Sequence, residues 1–176
     1  LAANILEKEE NEKTVEFLLS KPVTRTQVVS SKLLTVIVNL LIFNLFIAFV
    51  SWIGFQMSGE AEAPMDTFLL LTIGGVLTHL VFAAVAFLLS ATMRRSRNIW
   101  SASIGIVFVT YFLDAIAGIV EQTEFLKYVS PFQYFNATDI ILNDGLHVGY
   151  TIISAAVIVI CIGLAYACYR KKDIAV

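Results

Sequence analysis

The chain has 176 residues, of which 58% are hydrophobic, and its mean hydropathy is +0.80. A soluble domain of this length has too small an interior to bury so much apolar surface, so the composition excludes an ordinary soluble protein. The formal net charge is only −2, which argues against the strongly basic surface that nucleic-acid binding requires.

The chain opens with "LAANIL" followed by the charged run "EKEE", a pattern typical of the last turn of a helix that leaves a membrane. No charged, apolar and small-residue signal peptide precedes it. We therefore expect the chain to be a fragment, or the C-terminal part, of a longer protein. Residues 1–32 are predicted to hold the end of an earlier helix and a cytoplasmic segment.

The segment "TVEFLLSKPVTRTQ" is predicted to contain the end of one helix and the start of another. Pro22 cannot continue a helix, and it moves the residue before it out of the α region. Thr24 followed by Gln27 forms a capping box, which predicts a second helix from Arg25 into the first span. The first piece, residues 14–20, is too short to cross a bilayer. We expect it to lie on the cytoplasmic surface, against lipid or another protein.

Four apolar runs are long enough to cross a membrane. Each has about 22–25 residues, which as a helix spans a hydrocarbon core of about 30 Å with some tilt. None alternates apolar and polar residues as strands do. We predict an all-α polytopic membrane bundle with spans over residues 33–55, 67–91, 99–120 and 148–169.

The basic residues are distributed unevenly between the two sides of these spans. Lys127 lies between the third and fourth spans, and every other Lys or Arg lies before the first span, between the second and third, or in the C-terminal tail. Cytoplasmic loops are enriched in Lys and Arg. We therefore predict that both chain ends are cytoplasmic, in an integral protein of a prokaryotic plasma membrane.

A short external helix is predicted over residues 131–142. Ser130 is expected to be its N-cap, with Pro131 at the first helical position and Gln133 completing a capping box. The run Asn143–Gly145 supplies the stop. A plain amphipathic loop helix and a helix that caps a transport path are both consistent with this pattern.

Four polar side chains fall inside the predicted spans: Asn39, Asn44, His79 and Asp114. Asn and His commonly join helices through hydrogen bonds, whereas an intramembrane Asp faces a polar partner or a wet path. We predict either a structural role or a place on a substrate path for these residues. An intramembrane enzyme using His79 and Asp114 is an alternative, but the two differ in depth by about 9 Å. The sequence has no hydrolytic or zinc-binding motif.

The segment "EKEENEKTVEFLLSKPVTRTQVVSSKLL" resembles the sequence before the third transmembrane helix of type-2 ABC exporter permeases. Those permeases share a Gly-Thr-x-Glu-x-Leu-Leu-Ser-x-Pro-Val-Ser/Thr-Arg pattern followed by Lys-Leu, and this chain departs from it at Lys13. The segments "YVSPFQYFNATDII" and "YRKKDIA" also resemble the corresponding regions of that family. The matching positions in the first segment are Thr14, Glu16, Leu18, Leu19, Ser20, Pro22, Val23, Thr24, Arg25, Lys32 and Leu33.

The resemblance implies that the short surface helix is a coupling helix, which docks in a groove of a separate ATP-binding cassette ATPase. That partner would bind ATP and Mg²⁺, and its closure would move the spans between inward-open and outward-open states to export a substrate. The resemblance also implies a second permease subunit, identical or different, and a further pair of spans before this chain. The residues expected at the ATPase are Glu16, Phe17, Leu18, Leu19, Lys21, Pro22 and Arg25.

This chain is not expected to be an enzyme or to bind a cofactor. None of its nine glycines begins the Gly-x-x-x-x-Gly-Lys-Ser/Thr motif, so ATP hydrolysis is assigned to the partner. A non-transporting structural or sensory subunit that uses the same segment to bind a different cytoplasmic protein is the alternative.

The predicted orientation is tested by labelling engineered cysteines with a membrane-impermeant reagent. Cysteines at Glu62 and Glu124 should react from outside, whereas those at Ser96 and Asp173 should not, because the loops that carry them face opposite sides. Labelling of the Ser96 position from outside would contradict the four-span topology.

Overall fold

The computed structural model describes residues 2–6, 24–57, 65–93, 96–119 and 121–171. Within these ranges the secondary structure is helical, without β-strands, which confirms the predicted all-α class. The long helices are α1 (Arg25–Met57), α2 (Met65–Thr92), α3 (Ser96–Ile119) and α6 (Val148–Lys171), the short ones are α4 (Pro131–Tyr134) and α5 (Ala137–Asn143), and 3₁₀ helices cover Ala2–Asn4 and Glu121–Tyr128.

The four long helices have the length and apolar composition that crossing a membrane requires, as predicted for the four spans. Their outward side chains are largely apolar. On α1, Leu45, Phe46 and Phe49 are 63–70% exposed in the isolated chain. An apolar surface of this kind is stable in lipid and not in water.

Helix α1 begins where the capping box predicted it to begin. The Thr24 backbone N–H donates to Gln27 Oε1 at 2.8 Å, and the Gln27 N–H donates to Thr24 Oγ1 at 3.3 Å. From this cap the helix continues without a break for 33 residues, or about 50 Å. The surface helix predicted before it, over residues 14–20, lies outside the described residues.

The chain divides into two compact units. One contains the described parts of residues 1–37, 82–109 and 156–176. Its core includes the fully buried side chains of Val29, Phe87 and Ile99. The N-terminal residues join this core, because Leu6 is only 1% exposed and its N–H donates to the buried Ser90 Oγ at 3.1 Å.

The other unit contains residues 38–81 and 110–155, excluding the undescribed positions among them. Its buried residues include Val81, Tyr134 and Ile140. Gly74 of α2 packs closely against the α4–α5 region. A Cβ atom at this glycine would lie 3.2 Å from both Ile140 Cδ1 and Phe135 Cβ.

The single external helix predicted over residues 131–142 is replaced by two helices. Pro131 does occupy the first helical position, but the Ser130 side chain makes no cap bond; its hydroxyl is turned toward α3, where it donates to the Thr110 carbonyl at 3.0 Å. The backbone leaves the helical region at Phe135, with φ −130° and ψ 44°. Asn136 then caps α5, since its Oδ1 accepts from the Thr138 N–H at 2.9 Å.

Helix α5 ends in the run Asn143–Gly145, which was predicted to supply the stop. The residue in the left-handed conformation is Asp144, with φ 50° and ψ 34°, and not the glycine that follows it. Aspartate tolerates this region because its short polar side chain can bond locally to the backbone.

The close packing at Gly74 predicts a large difference between two adjacent glycines. Gly74→Val should lower the free energy of unfolding by about 1–3 kcal/mol more than Gly75→Val, because the added methyl groups must displace Phe135 and Ile140. Gly75 is the matched control, since a Cβ there meets nothing within 4 Å. Thermal unfolding of the detergent-solubilised proteins measures the stability of each variant. Equal losses of stability in Gly74→Val and Gly75→Val would contradict this packing.

Candidate functional site

Many Ser and Thr side chains on the long helices donate their hydrogen to a carbonyl about one turn earlier in the chain. Eight of them donate to the carbonyl four residues earlier, at distances of 2.8–3.2 Å. Such a bond satisfies the donor without help from a neighbouring helix. The eight are Ser31, Thr35, Thr72, Thr78, Thr92, Ser101, Thr151 and Ser154.

Two of the predicted intramembrane residues instead bond to each other. His79 Nδ1 of α2 lies 2.8 Å from Asn44 Oδ1 of α1. Asn44 Nδ2 donates to the Leu40 carbonyl at 2.8 Å, which orients the amide with its oxygen toward the histidine. His79 Nδ1 must therefore carry the hydrogen. The imidazole also packs edge-on against Phe43, at 5.9 Å between ring centroids.

The position of each residue along its helix explains why these two meet. Asn44 lies thirteen residues before the end of α1, and His79 lies fourteen residues after the start of α2. Consecutive spans run in opposite directions, so these positions fall at nearly equal depth. The depth argument that separates His79 from Asp114 also applies to Asn44, and from the sequence it predicts this pair.

The Asn44–His79 pair lies at one end of a groove of about 240 Å³ between α1 and α2. Both helices contribute one face at helical spacing. Trp52 and Phe55 pack edge-on against Phe68, at 5.4 and 5.7 Å between centroids. The lining residues are Asn44, Ile47, Ala48, Ser51 and Phe55 of α1 with Phe68, Leu71, Thr72, Gly75 and His79 of α2. The groove can hold an apolar group and offers it a hydrogen-bonding pair at one end.

Asp114 of α3 lies beside the loop that leads into α4. It interacts with the Ser130 side chain, while its Oδ1 atom is buried and has no hydrogen-bond partner among the described residues. Its contacts are therefore separate from those of His79, the residue with which the enzyme hypothesis paired it. Asn39 lies on α1 with an exposed side chain.

A cluster of aromatic side chains that the sequence analysis missed lies around α4 and the start of α6. The Tyr134 and Tyr150 rings stack at 5.4 Å with an interplanar angle of 19°, and His147 and Tyr128 lie 4.8 and 5.8 Å from Tyr150. The Tyr134 hydroxyl donates to the Tyr128 carbonyl. Burial, and secondarily the charge of Tyr150, raise the pKa of Tyr134. The density of tyrosines near the end of a span is the signal that could have indicated such a cluster.

Of the seven residues expected at the ATPase, only Arg25 belongs to the described part of the chain. Its Nη1 donates to the Arg170 carbonyl in the last turn of α6, at 3.4 Å. A cation is favourable at that position because the C-terminal carbonyls of a helix carry partial negative charge. One turn further along α1, the Ser30 and Tyr166 hydroxyls lie 2.7 Å apart. The other six, residues 16–19, Lys21 and Pro22, lie outside the described residues.

Comparisons with known proteins give a family match and a distant relative. Residues 1–174 match the model of a family described as ABC-2 family transporter protein. An uncharacterized protein of Bacillus subtilis (strain 168), YhcI, is 26% identical over 208 aligned positions, which cover 99% of this chain and 63% of that protein. The chain thus spans less than two thirds of the length of this relative. No solved structure matches the chain described here.

The Asn44–His79 bond predicts an energetic coupling between the two residues. In a double-mutant cycle with Asn44→Ala and His79→Ala, the coupling should be about 0.6–1.7 kcal/mol, the range for hydrogen bonds between membrane helices. Pairing Asn44→Ala with Thr92→Ala is the control. Thr92 lies about 20 Å from His79 along α2 and bonds to its own helix, so its coupling should be near zero. Equal coupling in the two cycles would mean that the bond contributes nothing specific.

Proposed function

The chain belongs to the ABC-2 family of transporter proteins, and from that membership we propose that it is a permease subunit of an ABC exporter. The spans would form half of a transport path, and a second permease subunit, identical or different, would supply the other half. A separate ATPase chain, with its own ATP and Mg²⁺, would provide the energy, since this chain carries no Gly-x-x-x-x-Gly-Lys-Ser/Thr motif.

The observation that carries the coupling mechanism is the cap at the start of α1. The capping box of Thr24 and Gln27 begins the helix directly after the proposed coupling segment. From there α1 runs unbroken for 33 residues, longer than the ~30 Å hydrocarbon core requires. A displacement of the segment would therefore act on the end of a continuous rigid helix and would not be absorbed in a flexible linker.

The contacts near the N-terminal end of α1 would transmit a displacement of this helix to α6. Arg25 bonds to the last turn of α6, and Ser30 bonds to Tyr166 one turn further along. An ATPase that moves the start of α1 would then move the end of α6 with it. We propose that this concerted movement drives the change between inward-open and outward-open states.

The polar groups inside the spans are the candidates for the substrate path. The groove between α1 and α2 offers an apolar surface with the Asn44–His79 pair at one end. Asp114 has a carboxylate oxygen without a hydrogen-bond partner among the described residues. Both could interact with a substrate that crosses the membrane, and both chain ends would lie in the cytoplasm with the ATPase.

The coupling role is tested with Phe17→Ala in the full-length permease reconstituted with the ATPase that co-purifies with it. Removing a central aromatic anchor commonly costs about 2–4 kcal/mol, so affinity for the ATPase should fall about 30- to 1,000-fold. Transport and substrate-stimulated ATP hydrolysis should fall together. The basal hydrolysis of the isolated ATPase should not change.

Phe125→Ala is the matched control, because it makes the same truncation at a 65% exposed phenylalanine between the third and fourth spans. It should leave ATPase affinity unchanged. A Phe17→Ala permease that retains the ATPase at wild-type yield and transports normally would show that the segment rests on lipid, and the coupling proposal would fail.

A further inference from the structure

A polar cavity of about 480 Å³ lies between α4, α5 and the start of α6. None of its lining residues belongs to the groove between α1 and α2 or to the proposed coupling segment. Its volume is within the range of about 300–1,000 Å³ that small-molecule sites occupy. All of the residues that line it belong to the unit formed by residues 38–81 and 110–155, and they lie in one stretch of chain, residues 127–150.

The walls of this cavity are held in fixed positions. Tyr134 is 5% exposed and Ile140 is 3% exposed, although both line the cavity. Tyr134 is held by its stack against Tyr150 and by its hydroxyl bond to the Tyr128 carbonyl. Helix α5 is fixed at its start by the Asn136 cap. A site whose walls are already ordered binds a ligand at a smaller entropic cost.

The polar groups of the lining have hydrogen-bonding capacity to spare. Gln133 Nε2 lies 3.4 Å from Asp139 Oδ2, and Asn136 Nδ2 lies 3.5 Å from Gln133 Oε1, both at the long end of the range for a hydrogen bond. Asn143 Nδ2 donates to the Asp139 carbonyl at 2.9 Å, which leaves its own amide oxygen as an acceptor. A ligand with hydroxyl groups could replace the long contacts with shorter ones.

The chemistry of the lining indicates which class of ligand fits. Carboxamides both donate and accept, as hydroxyl groups do, and Gln133 and Asn143 supply them together with the Asp139 carboxylate. Lys127 lines the same cavity as Asp139, so the formal charges balance and a neutral ligand is favoured. Leu146, which is half-buried, adds apolar surface against which the C–H groups of a ring could pack.

We propose that this cavity binds a neutral saccharide of one or two rings, either free or carried on a larger molecule such as a glycolipid. The hydroxyl groups would bond to Gln133, Asp139 and Asn143, and the face of the ring would lie against Leu146. This proposal goes beyond the permease assignment. It concerns binding to the permease alone and does not depend on coupling to an ATPase.

The test uses the full-length permease in phosphatidylcholine–phosphatidylglycerol nanodiscs. It should be purified in lauryldimethylamine oxide, because alkyl glycoside detergents would themselves occupy the site. In one arm, maltose and N,N′-diacetylchitobiose are added, and binding is measured by saturation-transfer NMR and calorimetry. In the other arm, monoglucosyl diacylglycerol replaces diacylglycerol in the nanodisc and the thermal midpoint is compared. The first arm detects a free sugar and the second a lipid-linked one.

Binding in either arm should weaken at least about tenfold in Asp139→Asn, the effect of losing one hydrogen bond that involves a charged group, and about two- to tenfold in Gln133→Ala, which removes a neutral hydrogen bond. Asp144→Asn is the matched control. It makes the same change five residues further on, outside the lining, in a left-handed conformation that asparagine also tolerates. Its binding should equal that of the wild type. Unchanged thermal midpoints without sugar would show that the variants are folded.

The proposal is overturned if neither arm shows binding, or if binding is as strong in Asp139→Asn and Gln133→Ala as in the wild type. Glycylglycine, a zwitterion of similar size, is added as a third probe. If it binds in place of the sugars, with the same sensitivity to Asp139→Asn, the assignment to saccharides is wrong. None of these outcomes affects the coupling proposal, which a loss of ATPase binding tests separately.

Discussion

The hydrocarbon interior of a membrane offers no water to a polar group, and this constraint accounts for most of the structure. Each backbone amide in the spans must bond within its own segment, which makes the four long segments helical. The same constraint acts on side chains. Eight hydroxyls donate to carbonyls four residues earlier in the chain, so these side chains need no partner from another helix.

Other polar groups in the described part of the spans are not satisfied in this way, and three of them, Asn44, His79 and Asp114, are the candidates for a role in transport. Asn44 and His79 satisfy each other across two helices. Asp114 has a buried oxygen without a partner among the described residues, beside a loop where Ser130 satisfies the Thr110 carbonyl. A permease must open a path for its substrate without leaving unsatisfied polar groups in lipid. These sites are where such a path would meet hydrogen-bonding groups.

The features that the sequence predicted well are those decided by neighbouring residues. The spans follow from length and hydrophobicity, and the start of α1 follows from Thr24 and Gln27, which bond to each other over one turn. The residues whose roles were predicted wrongly form contacts with residues far away in the sequence. Ser130 has the sequence of an N-cap, but its hydroxyl bonds to a carbonyl twenty residues earlier. The local sequence around Ser130 contains no information about a hydrogen-bond partner so far away in the chain.

The same distinction applies to the candidate site. Asn44 and His79 were identified as polar residues inside spans, but their pairing depends on the relative depth of two helices and not on either local sequence. Asn136 was overlooked as a cap because Pro131 to Leu142 has the composition of one continuous helix, and the break at Phe135 reflects tertiary packing. The aromatic cluster around Tyr150 brings together side chains from positions 128–150 that no short motif connects.

The central claim is that the segment before α1 delivers the movement of an ATPase to a continuous helix. The most direct measurement places the photo-crosslinking residue p-benzoylphenylalanine at position 16 in place of Glu16, in the full-length permease co-expressed with its ATPase. The account predicts a crosslink to the ATPase from position 16 whose yield changes when ATP is bound, and none from the same substitution at Phe125. A complex that stays intact yet gives no crosslink to the ATPase from position 16 would contradict it.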